Sequence, residues 1–189
     1  TIADSVFKVV NNNKKKLRVV AATCDKNYEK LAKLKNKYCI KKIGINDYNS
    51  AQKYKSIYRN NKNLIVGNEN FSKLISKNVD VIILAISGLS PLNLSFDIVR
   101  SGKIVGLANK ECIISLGPRL LSLAKRYKTR IIPLDSEHYS ICQLIDQEDI
   151  SSIKKIYITA SGGPFLNYKK AKFKTIKPKD ALKHPKWKM

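Results

Sequence analysis

Two carboxylates with a hydroxyl between them, Asp135, Ser136 and Glu137, follow directly on the apolar run Ile131-Ile132-Pro133-Leu134. In an open α/β sheet, ligands bind just beyond the carboxyl ends of the strands, so acids placed there face a crevice. Asp and Glu two residues apart can present oxygens to one hard cation such as Mg²⁺ or Mn²⁺. The structural alternative is an acidic helix N-terminus, which the helix dipole favours. By themselves these residues leave the two readings level.

Three other places carry chemistry. Asn109-Lys110-Glu111 follows the apolar stretch Lys103–Leu107, and a Lys at a strand end is suited to stabilising developing oxyanion charge. The same triplet opens helices commonly, and on residues alone that reading is preferred. Cys24-Asp25-Lys26-Asn27 follows the apolar segment ending at Thr23. In a dinucleotide-binding fold this is where the adenosine ribose is met, an acid selecting NAD and a basic group accommodating the 2′-phosphate of NADP. A polar turn capped by Asp25 explains it equally well. Ser161-Gly162-Gly163-Pro164 would let backbone N–H groups approach an anion closely. A Ser161/His184/Asp135 triad could also be drawn. The chain, however, alternates strands with helices instead of forming all-β barrels, and it lacks the Gly-x-Ser-x-Gly elbow of an α/β hydrolase. His138 and Cys142 sit four apart, a zinc-like spacing, but no second ligand pair accompanies them.

The elements that must position these residues are legible as periodicity. Helices are expected over Thr1–Val10, Tyr28–Lys37, Asp47–Tyr58, Asn70–Ser76, from Pro91 to a C-cap at Ser101-Gly102, and over Pro118–Tyr127. Strands are expected at Leu17–Ala22, Lys42–Ile45, Leu64–Val66, Val79–Ala85 (the clearest buried one), Lys103–Leu107 and Arg130–Pro133. Such alternation implies a Rossmann-like, doubly wound parallel sheet. Beyond residue 150 the texture changes. Ile153–Ala160 reads as a strand, Ser161–Phe165 as a glycine turn, Leu166–Pro178 as a lysine-rich surface and Lys179–Lys183 as a helical turn. The domain boundary is placed at Leu134.

The net charge is +23, which invites a nucleic-acid reading. Yet 31 of the 37 basic residues are Lys and they are spread from Lys8 to Lys188, whereas bidentate phosphate and base-edge recognition favours Arg. Lys, Asn and Ile account for 70 of 189 residues, so the charge is read as A+T-biased codon usage on solvated faces, with a weak steering effect on anions. No apolar stretch is long enough to span a membrane, and the start has no signal-peptide pattern. Four scattered cysteines fit a reduced, cytoplasmic setting.

Four ordered segments, Leu107-Ala108-Asn109-Lys110-Glu111, Asp135-Ser136-Glu137-His138, Thr159-Ala160-Ser161-Gly162-Gly163-Pro164-Phe165 and Ala181 through Met189, together resemble 1-deoxy-D-xylulose 5-phosphate reductoisomerase. The resemblance runs over essentially the whole chain but covers only about half of that enzyme. Both ends read as cut: the glycine-rich phosphate loop would precede Thr1, and a further acid ligand would follow Met189. Residues 1–134 would then be an NADPH-binding domain without its first strand, and residues 135–189 the start of an α+β catalytic domain with its lid segment.

The resemblance implies NADPH- and divalent-metal-dependent isomerisation and reduction of 1-deoxy-D-xylulose 5-phosphate to 2-C-methyl-D-erythritol 4-phosphate, in isoprenoid precursor synthesis. It assigns metal (Mg²⁺ or Mn²⁺, with Co²⁺ as a further option) to Asp135 and Glu137, with Lys110 beside them as the third catalytic residue. Substrate would be held by Lys110, Ser136, Glu137, Ser161, His184 and Trp187. Lys26, Asn27, Asn109, Glu111 and Met189 would face the cofactor. Asp25 stands where the family usually has glycine. The resemblance further implies a homodimer as the complete enzyme, a small phosphorylated sugar as substrate and no nucleic-acid or membrane partner, and it leaves the 189 residues inactive on their own. Rival readings are another NAD(P)-dependent oxidoreductase and a basic nucleic-acid-binding module.

Overall fold

A computed structural model describes residues 2–58, 62–159 and 163–183. The chain divides into two compact units, Thr1–Gln143 and Leu144–Met189. Strands and helices alternate through the first unit and just past its end: α1 (Ile2–Asn12), β1 (Ala21–Cys24), α2 (Tyr28–Lys37), β2 (Lys42–Ile45), α3 (Tyr48–Ile57), β3 (Leu64–Val66), a 3-10 segment at Asn68–Leu74, β4 (Val81–Leu84), α4 (Leu92–Arg100), β5 (Ile104–Leu107), α5 (Lys110–Tyr127), β6 (Arg130–Pro133) and α6 (Ser136–Ile145). Among the described residues all ladders are parallel, and they form two three-stranded sheets, β1-β2-β3 and β4-β5-β6. Parallel strands need crossovers, and helices supply them here. The α/β alternation expected from periodicity is therefore present.

Local chemistry explains where the helices start. Asn27 accepts the Lys30 N–H at 3.0 Å and Asp47 accepts that of Ser50 at 2.8 Å, capping α2 and α3. The polar turn after β1 is thus capped by Asn27 and not by Asp25. Helix α5 is longer than its sequence suggests. It begins at Lys110, capped by Asn109, and carries Pro118 in its interior. A proline there removes one backbone hydrogen bond but does not end the helix when packing holds both sides, and Cys112, Leu120 and Ala124 are all buried. Gly102, at φ +68°, follows α4, as the C-cap reading expected.

Two apolar clusters hold the unit together. One joins Leu31, Ala32, Ile40, Ile43, Ile45, Ala51 and Tyr54 beneath β1–β3. The other gathers Leu84, Leu94, Ile98, Val99, Val105, Leu107, Cys112 and Leu120, and takes Phe71, Leu74, Ile65 and Ala21 from the first sheet's side. The two sheets therefore share a core. Fully burying a side chain such as Ile45 or Leu120 contributes roughly 1.5–3 kcal/mol.

Several expectations are corrected. Residues 17–20 are not in a ladder, and pairing of β1 begins only at Ala21, opposite Lys42, because the partner strand is itself four residues long. Strand β4 is not buried on both faces: Val81 is 48 % exposed and Ile83 38 %. The segment expected as a helix over Asn70–Ser76 is a 3-10 run two residues earlier. In the second unit, the described part of Ile153–Ala160 forms no ladder, since no described strand is there to pair with it. That unit instead shows 3-10 turns at Ile150–Ser152, Gly163–Phe165 and Lys170–Thr175 and a short helix α7 (Pro178–Ala181), with Phe165 edge-on to Tyr168 and tilted against Phe173. Among the described residues, no helix is long and apolar enough to cross a membrane.

Candidate active site at the strand ends

The carboxyl ends of β5 and β6 bring two of the sequence-predicted segments together. Strand β5 runs into Ala108-Asn109 and the start of α5. Strand β6 runs through Leu134 into Asp135 and the start of α6. Leu134 donates its N–H to Leu107 O at 2.9 Å, which carries the pairing one residue past the strand and fixes where Asp135 begins. Gly106 makes room for this: a Cβ there would lie 2.8 Å from Leu134 Cδ1 and 2.7 Å from Ile83 Cδ1.

Across this seam Lys110 Nζ lies 3.1 Å from Glu137 Oε2. Ser136 Oγ donates to the same Oε2 at 3.1 Å. The hydrogen bond to Glu137 raises the Lys110 pKa above its ordinary value, so the ammonium form is favoured. The Glu137 carboxyl is held below its usual range, first by its own backbone N–H and then by Lys110 and Ser136. Asp135 is the more enclosed acid, its side chain only 10 % exposed. It accepts the His138 backbone N–H at 3.0 Å and stands 2.8 Å from His138 Nδ1. Burial pushes its pKa up, but the His138 contacts and the charges of His138 and Lys110 outweigh that and leave it lowered. Both acids are therefore carboxylates at neutral pH. The acidic helix N-terminus is present, with Asp135 preceding α6 and Glu137 in its first turn.

Two hard carboxylates and a hydroxyl suit a hard divalent cation. Among the described residues, no group of three or more His, Cys, Asp or Glu side chains could hold a metal ion. Asp135 and Glu137 fit as part of such a site, not as the whole of it.

Asn109 is almost fully buried, at 3 % exposure. Its Nδ2 donates to Ile86 O at 2.5 Å and Gly88 O at 2.8 Å, while Oδ1 accepts the Cys112 N–H at 2.7 Å. Glu111 Oε1 accepts the Gly88 N–H at 3.3 Å. Asn109 and Glu111 thus clamp the loop after β4, and Gly88 adopts φ +75° to present both its backbone groups to them. A side chain at that φ would be strained. Both amide hydrogens of Asn109 are committed to this loop.

A second polar rim lines the ends of β1, β2 and β3, and reaches the loop after β4. Asp25 Oδ1 accepts from Asn46 Nδ2 at 2.7 Å, Asn46 Oδ1 accepts the Asn68 N–H at 3.0 Å, and Asn68 Nδ2 donates to Ser90 O at 3.1 Å. Lys26 and Asn27 are exposed beside it. Asp47 also borders this rim. Its carboxyl is held low by hydrogen bonds from Ser50 and then by the charges of Lys26 and Lys53. Burial, and then Asp25, pushes the Cys24 thiol up to about 11. A hydroxyl acceptor and a cation side by side at a strand end suit the ribose and phosphate of a dinucleotide.

Sequence reasoning missed Asn46, Asn68 and the loop at Ile86–Gly88, and it gave His138 no place in the site. The available signal was recurrence: a polar Asx residue stands one or two positions past each of the first three strands, at Asp25, Asn46 and Asn68. Ser161, His184, Trp187 and Met189 lie outside the described residues.

Comparison with known proteins agrees with this arrangement. The family model for 1-deoxy-D-xylulose 5-phosphate reductoisomerase matches residues 1–117, and that for the enzyme's C-terminal domain matches residues 131–189. The reductoisomerase of Pelagibacter ubique is 38 % identical over 192 residues, covering 100 % of this chain and 50 % of the relative. That of Treponema denticola is 43 % identical over 146 residues, 76 % of this chain and 38 % of the relative. Among solved structures, the Zymomonas mobilis enzyme in complex with NADPH superimposes with a TM-score of 0.87 at 28 % identity, over 98 % of this chain and 49 % of that one. A DOX-P reductoisomerase in complex with NADPH, fosmidomycin and magnesium gives 0.83 at 28 %, over 100 % and 50 %. The chain spans about half the length of the curated relatives it matches. With both its strand-end motifs and its parallel α/β architecture accounted for, the chain belongs to the 1-deoxy-D-xylulose 5-phosphate reductoisomerase family.

Proposed function

We propose that this chain provides the NADPH-binding domain, residues 1–134, and the opening of the catalytic domain, residues 135–189, of an enzyme that converts 1-deoxy-D-xylulose 5-phosphate to 2-C-methyl-D-erythritol 4-phosphate. The observation that carries the reading is the Lys110–Glu137 contact with Asp135 beside it. It supports a single polar site built from two neighbouring strand ends in a member of this family.

Asp135 and Glu137 would hold Mg²⁺ or Mn²⁺, whose contribution when bound is Lewis-acid polarisation of the substrate's carbonyl and neighbouring hydroxyl. NADPH would supply the hydride for the reductive half of the reaction. The chain's own residues do the rest. The Lys110 ammonium, kept protonated by Glu137, offers N–H donors to oxygen atoms on which negative charge develops. Ser136 and Glu137 position the substrate hydroxyls. His138 orients Asp135 through its ring Nδ1. Asn109 and Glu111 shape the nicotinamide side by holding the loop at Gly88, while Lys26 and Asn27 serve the adenosine end. Ser161 and His184 take the substrate phosphate, and Trp187 and Met189 cover the substrate and the nicotinamide as a closing lid that excludes water.

The substrate is a small phosphorylated sugar, and no nucleic acid or membrane takes part. The complete enzyme works as a homodimer in the cytoplasm. The test is spectrophotometric. A full-length protein carrying this chain should consume NADPH only when 1-deoxy-D-xylulose 5-phosphate and a divalent ion are both present, and chelation should stop it. NADPH consumption that needs no metal would contradict the reading.

A further inference from the structure

The parallel ladders put the first residues of the strands at one edge of the fold and the candidate active site at the other. The two sheets agree in this. Asn68, just after β3, donates to Ser90 O in the loop after β4 at 3.1 Å, so their carboxyl ends lie at the same edge. The charges divide between the edges. Asp25, Asp47, Glu69, Glu111, Asp135 and Glu137, six of the ten acids in residues 1–143, stand within four residues past a strand end. At the other edge every strand is entered through a cation: Arg18, Lys42, Lys62, Lys77, Lys103 and Arg130 for β1 to β6 in turn. Among the described residues, Asp80 is the one acid within four positions ahead of a strand.

Drift toward lysine would charge both edges alike, and it does not account for arginine. Four of the chain's six arginines, Arg18, Arg100, Arg126 and Arg130, lie within four positions of a strand start. The turns that carry these cations are packed together. Lys103 Nζ donates to Lys77 O at 2.7 Å and the Thr129 hydroxyl donates to Val99 O. The Lys42 N–H donates to Val20 O at 3.4 Å and that of Ile43 to Asn63 O at 3.1 Å. Neighbouring strands lie about 4.8 Å apart and the Debye length at physiological salt is about 8 Å, so the charges within each sheet act as one field. Apolar groups stand among them. Leu17 is 43 % exposed and Tyr127 40 %, with the Arg126 guanidinium 5.9 Å from the Tyr127 ring centre. Tyr and Arg anchor protein interfaces, whereas bare cations suit a phosphate backbone. We propose that the amino-end edge of the sheets, away from the candidate active site, docks an acidic segment of another protein. The carboxylates of that segment meet the row of Arg and Lys, and an apolar side chain of it packs on Tyr127. The inference does not rest on the catalytic reading.

The probe is a dye-labelled random copolymer of Glu and Tyr, titrated with a full-length protein carrying this chain and followed by fluorescence anisotropy. It should bind, and its dissociation constant should rise about tenfold between about 50 and about 200 mM NaCl. Arg18→Gln, Lys62→Gln and Lys77→Gln combined should weaken binding about tenfold, with the thermal unfolding midpoint unchanged. Lys169→Gln, Lys170→Gln and Lys172→Gln combined remove the same charge from the second unit and should weaken it less than about twofold. Poly-L-glutamate, which has charge but no apolar side chain, should bind more weakly than the copolymer. Equal weakening by the two triple variants would mean general attraction and would overturn the proposal, as would absence of binding at the lower salt. Transfer RNA bound more tightly than the copolymer, and weakened by the edge variant, would make the partner a nucleic acid and overturn it as well.

Discussion

Lys110 and Glu137, twenty-seven residues apart, meet at 3.1 Å across the adjoining carboxyl ends of β5 and β6. This contact ties the first turn of α5 to the first turn of α6, and it sets Asp135 within the field of the same ammonium. If the two acids serve one cation, deleting either charge removes a ligand that the other cannot replace. Asp135→Asn and Glu137→Gln in a full-length protein should each lower metal-dependent turnover by about 100-fold or more. Rates measured across a Mg²⁺ titration decide it, and near-normal rates in both variants would contradict the assignment.

The same contact fixes a pH dependence. Glu137 has a folded-state pKa below its unfolded value. Its contribution to stability is present above the unfolded value and is lost as pH falls through the lowered one. Lys110 is shifted upward, so its contribution is present below the unfolded value and is lost as pH rises through the raised one. The pair therefore persists across the neutral range. NMR titration of the Glu137 carboxyl carbon should show a midpoint below that of an ordinary Glu, moving upward in Lys110→Met. An unchanged midpoint would mean that the ammonium does not act on it.

Asn109 is a buried cap that also clamps a loop. Asn109→Ala would leave the Cys112 N–H and the Ile86 and Gly88 carbonyls without this partner. A lost cap together with unsatisfied buried groups should cost about 3 kcal/mol. Hydrogen exchange should locate the damage, with the Cys112 and Gly88 amides losing protection before amides of β2. Uniform loss across the domain would argue for general destabilisation instead of a clamp.

Three of the four cysteines should react in a set order relative to one another. Cys39 is exposed, Cys112 is fully buried, and burial and Asp25 push the Cys24 thiol up to about 11. Only the thiolate alkylates readily. At pH 8, iodoacetamide followed by mass mapping should label Cys39 first, Cys24 slowly, and Cys112 only after unfolding. Asp25→Asn should speed labelling of Cys24. Early labelling of Cys112 would contradict the packing of α5.

Much of the first unit was legible because its signals are local. The boundaries of α2, β2, β3 and β6 match those read from apolar runs bounded by polar turns. The failures lie where tertiary context decides. Pro118 looked like the start of a helix, but buried residues on both sides carry α5 through it. The apolar run at β4 identified a strand, yet only the folded chain shows that Val81 and Ile83 stay exposed on one face. Ile153–Ala160 had the composition of a strand and lacked a described partner. In the site, residue types at strand ends leave Asp135 and Glu137 level with a helix N-terminus and favour a helix start at Lys110, so their roles rest on the family resemblance, and the contact joining Lys110 to Glu137 spans a crossover no local pattern encodes. No local pattern shows that the Asn109 side chain holds the loop at Gly88, twenty-one residues earlier.

The most direct test of the central claim is the identity of the product. A full-length protein carrying this chain should be incubated with ¹³C-labelled 1-deoxy-D-xylulose 5-phosphate, NADPH and Mg²⁺, and the carbon connectivity read by NMR. The account predicts a branched skeleton, 2-C-methyl-D-erythritol 4-phosphate, because carbon migration accompanies reduction. An unbranched product of simple ketone reduction would contradict it and would make the protein a dehydrogenase that shares only the family's fold.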